Sequence, residues 1–81
     1  MKLRVLFFSV LRDLTGCEEV PWTCPPGADL NLLLEQLFAK WPALRPWEPS
    51  LLLAVDCTYV SRSHPLTEGC EVAIMPPVQG G

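Results

Sequence analysis

Alternating hydrophobic positions near the two ends of the chain predict two β-strands. In the first, residues 2–10, the side chains of Leu3, Val5 and Phe7 share one face, while the other face begins polar and becomes apolar at Leu6 and Phe8. Residues 70–75 form a second run of strand type, and both runs are apolar enough for the centre of a sheet. Leu6 and Phe8 are therefore either covered by another element or exposed as a contact patch.

A longer repeat in the middle of the chain predicts one main helix. Asp29 stands where its side chain can cap the first turn, and Pro42 ends the pattern because the residue before a proline is pushed out of the helical region. The apolar positions between them recur at helical spacing and form one face. These positions are Leu30, Leu33, Leu34, Leu37, Phe38 and Trp41.

The remaining segments are short. Residues 11–16 predict a helical turn ended by a glycine, and residues 18–24 predict a strand that Pro21 confines to a sheet edge. Residues 51–60 predict two short strands joined by a turn at Asp56 and Cys57. Counting Pro42, three prolines mark residues 43–50 as an irregular connection, in which Trp47 covers one end of the core.

This order of elements predicts an α+β fold of the β-grasp type, a mixed sheet gripping one main helix. The first and last strands then lie side by side and parallel at the sheet centre. A ferredoxin-like fold would need a second full helix, which the pattern lacks. The chain divides into one domain, residues 1–75, and an extended tail, residues 76–81.

Composition narrows the function classes. The chain has 81 residues, 49% of them apolar and 19% charged, which is typical of a single folded domain. A net charge of −3 with only six Lys and Arg argues against a nucleic-acid surface. The apolar run after Lys2 and Arg4 is short and closed by Arg12, and no stretch approaches a membrane span, so we expect a cytoplasmic protein without a membrane partner.

Cysteine and histidine usage predicts no metal centre. The four cysteines lack close Cys-x-x-Cys spacing, and His64 is the single histidine. We therefore interpret the cysteines as reduced, small apolar residues. His64, beside Pro65 in a polar loop, is better explained as a structural residue than as a general base.

The tail carries the strongest chemical signal. Pro76 and Pro77 end strand pairing because proline cannot donate a hydrogen bond to the ladder. Val78 and Gln79 follow, and Gly80 and Gly81 place an α-carboxylate on a thread without side chains, able to enter a narrow channel. A carboxylate is a poor electrophile, so a reactive Gly81 needs a partner that activates it by adenylation. The alternative is a frayed terminus.

Several motifs together resemble the small subunit of molybdopterin synthase. The resemblance spans nearly the whole chain and is weakest between Pro21 and Ser50. It is carried by Val5-Leu6-Phe7-Phe8, Leu11-Arg12-Asp13-Leu14-Thr15-Gly16, Ala54-Val55-Asp56, His64-Pro65-Leu66-Thr67-Glu68-Gly69 and Pro76-Pro77-Val78-Gln79-Gly80-Gly81. Each motif alone is weak, but the combination is specific.

This resemblance implies a ubiquitin-like sulfur carrier in molybdenum cofactor biosynthesis. An E1-like enzyme would adenylate Gly81 with ATP, and a persulfide protein would supply the sulfur that makes a thiocarboxylate. The tail would then donate sulfur to cyclic pyranopterin monophosphate inside the large synthase subunit. The chain would hold no permanent cofactor, would supply no catalytic side chain of its own, and would join a heterotetramer of two small and two large subunits.

The resemblance also implies the residues that bind the partners. An apolar patch on the sheet would include Phe8, Tyr59 and Met75, and Arg12 would contact the large subunit. Met75 departs from the aromatic residue often found there, although methionine is adaptable enough to keep docking. From the residues alone, alternation places only Phe8 on the outer face.

Two other functions stay open at this point. One is a sulfur carrier of thiamine biosynthesis or tRNA thiolation, which also ends in Gly-Gly. The other is a protein-interaction module with an incidental tail. A self-contained enzyme is disfavoured because one histidine and scattered acids assemble no catalytic group.

Overall fold

The computed structural model describes residues 1–77, so the expectations for Val78, Gln79, Gly80 and Gly81 lie outside the described residues. The chain forms two α-helices, a 3₁₀ helix and five strands within that range. In chain order these are β1 (Lys2–Phe7), α1 (Val10–Thr15), β2 (Glu19–Thr23), α2 (Leu30–Lys40), the 3₁₀ helix (Pro42–Ser50), β3 (Leu52–Val55), β4 (Thr58–Tyr59) and β5 (Glu71–Met75).

The strands form one mixed sheet in the order β2-β1-β5-β3-β4. The central pair, β1 and β5, is parallel with Val5 opposite Val72, and the other pairs are antiparallel. The predicted β-grasp arrangement, with the first and last strands adjacent and parallel, is confirmed.

Helix α2 covers one face of this sheet. The side chain of Asp29 accepts a hydrogen bond from the Leu32 amide at 3.1 Å, and the helix ends just before Pro42, as the sequence predicts. Its apolar face is buried against alternate residues of β1 and β5, which form the core. Trp41 continues that face but is only half-buried, with its ring 5.3 Å from that of Phe7 in an edge-on arrangement.

The expected irregular connection at residues 43–50 is wrong, because Pro42–Ser50 is a 3₁₀ helix. Each proline holds φ near the helical value, so the three prolines are compatible with the tight turns they were expected to prevent. Leu44 is buried in the core and Trp47 packs against it. The three prolines, which often interrupt helices, are therefore part of a regular 3₁₀ segment whose Leu44 side chain is buried in the core.

Strand β2 is an edge strand, as Pro21 predicts. Met1 and Cys24 exchange backbone hydrogen bonds at 2.7 and 2.9 Å, and the Phe7 amide donates to the Glu18 carbonyl, so even-numbered residues of this segment bond to β1. Pro21 is odd-numbered and its missing N–H would have faced outward. The proline therefore costs no ladder bond and blunts the open edge.

The cysteines do not all behave as the sequence predicts. Cys24 and Cys70 are buried, and burial raises the pKa of the Cys24 thiol above its ordinary value. Cys57, however, is exposed, so its interpretation as an apolar packing residue is wrong. It lies in the tight turn between β3 and β4, where no side chain reaches the core.

The sequence predicts neither a membrane span nor a metal site. Within residues 1–77, no helix has the length and apolar character needed to cross a membrane. In that same part of the chain, no three His, Cys, Asp or Glu side chains are grouped so that they could hold a metal ion.

Candidate functional site

The face of the sheet opposite α2 carries the candidate site. Cross-strand pairs place Leu6 beside Ala73, and Ala73 beside Ala54, on this open face. Phe8 and Tyr59 stand out from it with 44% and 70% of their surface exposed. Exposed aromatic side chains on a flat apolar surface are typical of a protein-binding site.

Small residues in the sheet centre shape this face. Ala54 pairs with Ala73 on one side and with Tyr59 on the other, so two methyl side chains lie between larger neighbours. The result is a depression of about 240 Å³ that we call the docking depression. It is lined by Phe8, Ala54, Cys57, Tyr59, Glu71, Ala73 and Met75.

The structure therefore brings together three of the four predicted partner-binding residues, namely Phe8, Tyr59 and Met75. Alternation along the sequence could place only Phe8, because the side on which Tyr59 and Met75 fall depends on how β3, β4 and β5 pair. The two alanines that form the floor were missed by the sequence reasoning. The signal available was their small size within otherwise bulky strands.

Arg12, the fourth predicted residue, lies elsewhere. It is on α1, exposed, and forms an ion pair with Glu18 at 2.9 Å. It lines a separate depression of about 280 Å³ beside Phe8 and Leu6. Phe8 thus stands between Arg12 and the docking depression, and a partner that covers Phe8 is within reach of both.

Charges on the open face are paired. Arg4 contacts Glu71 at 2.6 Å and Glu19 at 3.5 Å, which links the three strands β1, β5 and β2. Both pairs are partly exposed, so each contributes little to stability. One positive charge thus faces two negative charges, so Arg4 balances only one of the two glutamates.

The tail leaves the domain at the rim of the docking depression. The Phe8 amide donates to the Ile74 carbonyl at 3.3 Å. Met75 follows Ile74, and Pro76 and Pro77 come directly after Met75. A second depression of about 590 Å³, the tail-root groove, surrounds this exit. It is lined by Phe8, Ser9, Val10, Trp47, Met75, Pro76 and Pro77.

His64 lies in the polar loop next to the start of α2. Its amide donates to the Ser61 carbonyl and its carbonyl accepts from the Leu30 amide at 3.1 Å, which ties the polar loop to the start of α2. Both contacts use the His64 backbone and none uses its imidazole.

Comparisons with known proteins agree with this architecture. The chain is 42% identical over 81 residues to the molybdopterin synthase sulfur carrier subunit of Escherichia coli K12, covering 98% of this chain and 99% of that protein. A Pyrococcus furiosus structure, provisionally named molybdopterin converting factor, subunit 1, superposes with a TM-score of 0.88 at 27% identity over 96% of this chain and 99% of that one.

A third similarity concerns a complex. The structure described as the protein–protein complex of subunits 1 and 2 of the Helicobacter pylori 26695 molybdopterin-converting factor contains a chain with a TM-score of 0.70 at 23% identity, with all of both chains covered. At that identity the likeness shows the shared fold. The family model described as the ThiS family matches residues 5–81, nearly the whole sequence. The chain therefore belongs to the ThiS family.

Proposed function

We propose that this chain is the sulfur carrier of molybdopterin synthase in molybdenum cofactor biosynthesis. One observation carries the proposal: the open apolar face lies directly at the root of a Pro-Pro-x-x-Gly-Gly end. The surface that docks a partner is thus next to the tail that enters that partner's active site. The similarity to the E. coli sulfur carrier subunit supports the same function.

The chemistry belongs to Gly81. An E1-like enzyme attacks ATP with the Gly81 carboxylate, which forms the acyl adenylate and releases pyrophosphate. The outer sulfur of a protein persulfide then displaces AMP and forms an acyl disulfide with Gly81. A protein thiol cleaves the S–S bond of this intermediate, which leaves a protein disulfide and the Gly81 thiocarboxylate that is the sulfur donor. Gly80 and Gly81 lack side chains, which suits a narrow active-site channel. ATP is used by the activating enzyme, and the carrier itself needs no permanent cofactor.

The large synthase subunit is the proposed acceptor complex. The docking depression binds it through Phe8, Tyr59 and Met75, and Arg12 contacts it beside Phe8. Docking fixes the domain, so the tail through Pro76, Pro77, Val78 and Gln79 presents the thiocarboxylate to cyclic pyranopterin monophosphate at low ordering cost. After each transfer the carrier leaves, is recharged in the cytoplasm and returns to the heterotetramer.

Intact mass spectrometry of the protein from its own cells, purified under mild non-reducing conditions, tests the proposal. We expect a species heavier by the difference between one sulfur and one oxygen atom, with fragment ions that map the change to Gly81. Mapping is essential because oxidation of a Met or Cys adds nearly the same mass.

A chain lacking Gly81 is the matched control. It should keep the thermal unfolding of the full chain and lose the heavier species together with sulfur transfer. Sulfur transfer at the normal rate without Gly81 would refute the proposal. An unmodified carboxylate even after incubation with activating enzyme, ATP and a sulfur source would favour the interaction module instead.

A further inference from the structure

The tail-root groove is an apolar depression that the sheet face alone does not explain. It shares Phe8 and Met75 with the docking depression, but its far wall comes from the start of α1 and from Trp47 of the 3₁₀ helix. It is more than twice as large as the docking depression, at about 590 Å³ against about 240 Å³. A groove of that size holds one or two apolar side chains of a partner.

Residues on both sides of Trp47 contact other elements of the fold. Arg45, two residues before it, pairs with Glu35 of α2 at 3.1 Å. Glu48, directly after it, pairs with Arg62 of the polar loop at 2.6 Å. The segment around Trp47 is thus fastened to two other elements, and its prolines further restrict the backbone. Prolines on both sides of Trp47 lower the cost of ordering this backbone when a partner binds.

Packing alone does not require a tryptophan at this position. Leu44 is the residue of the 3₁₀ helix that is buried in the core, whereas Trp47 packs against the core and stays only half-buried. Trp47 also lines the tail-root groove. Half-buried tryptophans beside an open groove are common anchors in interfaces.

The length of the tail decides what covers the groove. Only residues 78–81 separate Pro77, which lines the groove, from the Gly81 carboxyl group. Four fully extended residues span at most about 14 Å. A protein that holds Gly81 in its active site must therefore have its surface within that distance of Pro77, and the mouth of its tail channel lies nearer still.

We propose that the tail-root groove, with Trp47 as its anchor, binds an apolar side chain at the mouth of the tail channel of the large synthase subunit. This inference rests on the proposed function and adds a specificity-determining surface to it. Trp47 acts here as a binding residue that positions the tail, and it takes no part in sulfur chemistry.

Binding of the full chain to the large subunit, measured by isothermal titration calorimetry, tests the inference. We expect Trp47→Ala to weaken binding about 30-fold, as for a central aromatic anchor. Trp22→Ala is the matched control, because Trp22 is also half-buried but lies opposite Leu3, at the other end of β1 from Phe8. It should change affinity by no more than about twofold. Circular dichroism establishes that each variant is folded at the assay temperature.

A second variant tests the same groove if Trp47→Ala unfolds the domain. Ser9 is exposed on the rim of the groove and its side chain makes no capping bond, so Ser9→Lys adds a charge without removing a packed group. We expect at least about fivefold weaker binding, because an unpaired charge is then covered by an apolar side chain. Normal affinity for both variants would overturn the inference.

Truncation separates the possible occupants. In a chain ending at Pro77, Trp47→Ala should still weaken the residual binding of the large subunit, since the partner's side chain and not the tail fills the groove. If the effect of Trp47→Ala disappears on truncation, the chain's own tail is the occupant and the inference is wrong. If Trp47→Ala impairs only adenylation by the activating enzyme, the groove serves that protein and the inference is equally wrong.

Failure of the proposed function gives a different result. A full chain that neither binds the large subunit nor forms a thiocarboxylate overturns both proposals. A full chain that does both, with unaffected Trp47→Ala and Ser9→Lys variants, overturns the role of the groove alone.

Discussion

The two faces of the central strands β1 and β5 are formed by alternate residues that differ sharply in burial. On the face toward α2, Val5, Phe7, Val72 and Ile74 are at most 2% exposed. On the other face, Leu6 and Met75 are partly exposed and Phe8 stands out at 44%. The two sets alternate along the same backbone, so a difference of one position separates a core residue from a surface residue.

The difference shows how a chain of this size combines stability with binding. One helix can cover only one side of the sheet, and the second side of β1 and β5 stays apolar without an internal partner. In a small domain with a small core, leaving that area uncovered forgoes hydrophobic stabilisation. Phe8, Tyr59 and Met75 therefore leave apolar surface open to a partner.

Replacing Ile74 gives the largest expected effect. Ile74 is 1% exposed against α2, so Ile74→Ala removes buried methyl groups and leaves a cavity. We expect the free energy of unfolding to fall by about 3 kcal/mol, measured by urea denaturation. Met75→Ala, one residue further on the open face, is the matched control and should cost much less. Equal losses at the two positions would mean that the faces are not different in packing.

Replacing Tyr59 tests the open face, where we expect a loss of binding with little change in stability. With 70% of its surface exposed, Tyr59 contributes little to the core, so Tyr59→Ala should alter the free energy of unfolding by less than about 0.5 kcal/mol. The affinity of the Tyr59→Ala variant for the large subunit should fall about tenfold because an aromatic contact is lost. Calorimetric titration and thermal unfolding of the same sample measure both. Unchanged affinity would remove Tyr59 from the binding surface.

The turn at the rim of the open face gives the smallest expected effect. Asp56 and Cys57 have φ values of 49° and 69°, the left-handed region that a type I′ hairpin turn requires and that glycine adopts most easily. We expect Cys57→Gly to raise the free energy of unfolding by about 0.5 kcal/mol, because relief of strain exceeds the added freedom of the unfolded chain.

Cys57→Ala separates backbone strain from loss of the thiol. It removes the same sulfur but keeps a Cβ at positive φ, so it should give no increase. Urea denaturation of the two variants side by side makes the comparison. A similar gain in both would assign the effect to the side chain and not to the backbone.

Local patterns predicted the elements more reliably than their environments. The cap at Asp29, the end of α2 before Pro42 and the edge position of β2 are confirmed, because each depends on residues a few positions apart. The 3₁₀ helix was missed because the three prolines also fit an irregular loop. What selects the helix is Leu44 in the core, to which the partly exposed ion pairs of Arg45 and Glu48 add little.

The candidate site shows the same division. Alternation placed Phe8 on the outer face, but Tyr59 is fixed there by its pairing with Ala54, and Met75 by its pairing with Leu52. The exposure of Cys57 and the wall formed by Trp47 likewise follow from where turns and helices pack. The sequence predicted that the first and last strands are adjacent, but no local signal gives the register in which β3, β4 and β5 pair.

By itself, the sequence determined the helix, the strands and the order in which an apolar strand, two prolines and two glycines end the chain. These follow from side-chain periodicity and backbone restrictions, which act within a few residues. Only the tertiary structure decided that Phe8, Tyr59 and Met75 share one depression and that Trp47 flanks the tail root. Those neighbours come from segments far apart in the chain, and strand register and helix packing alone set their distances.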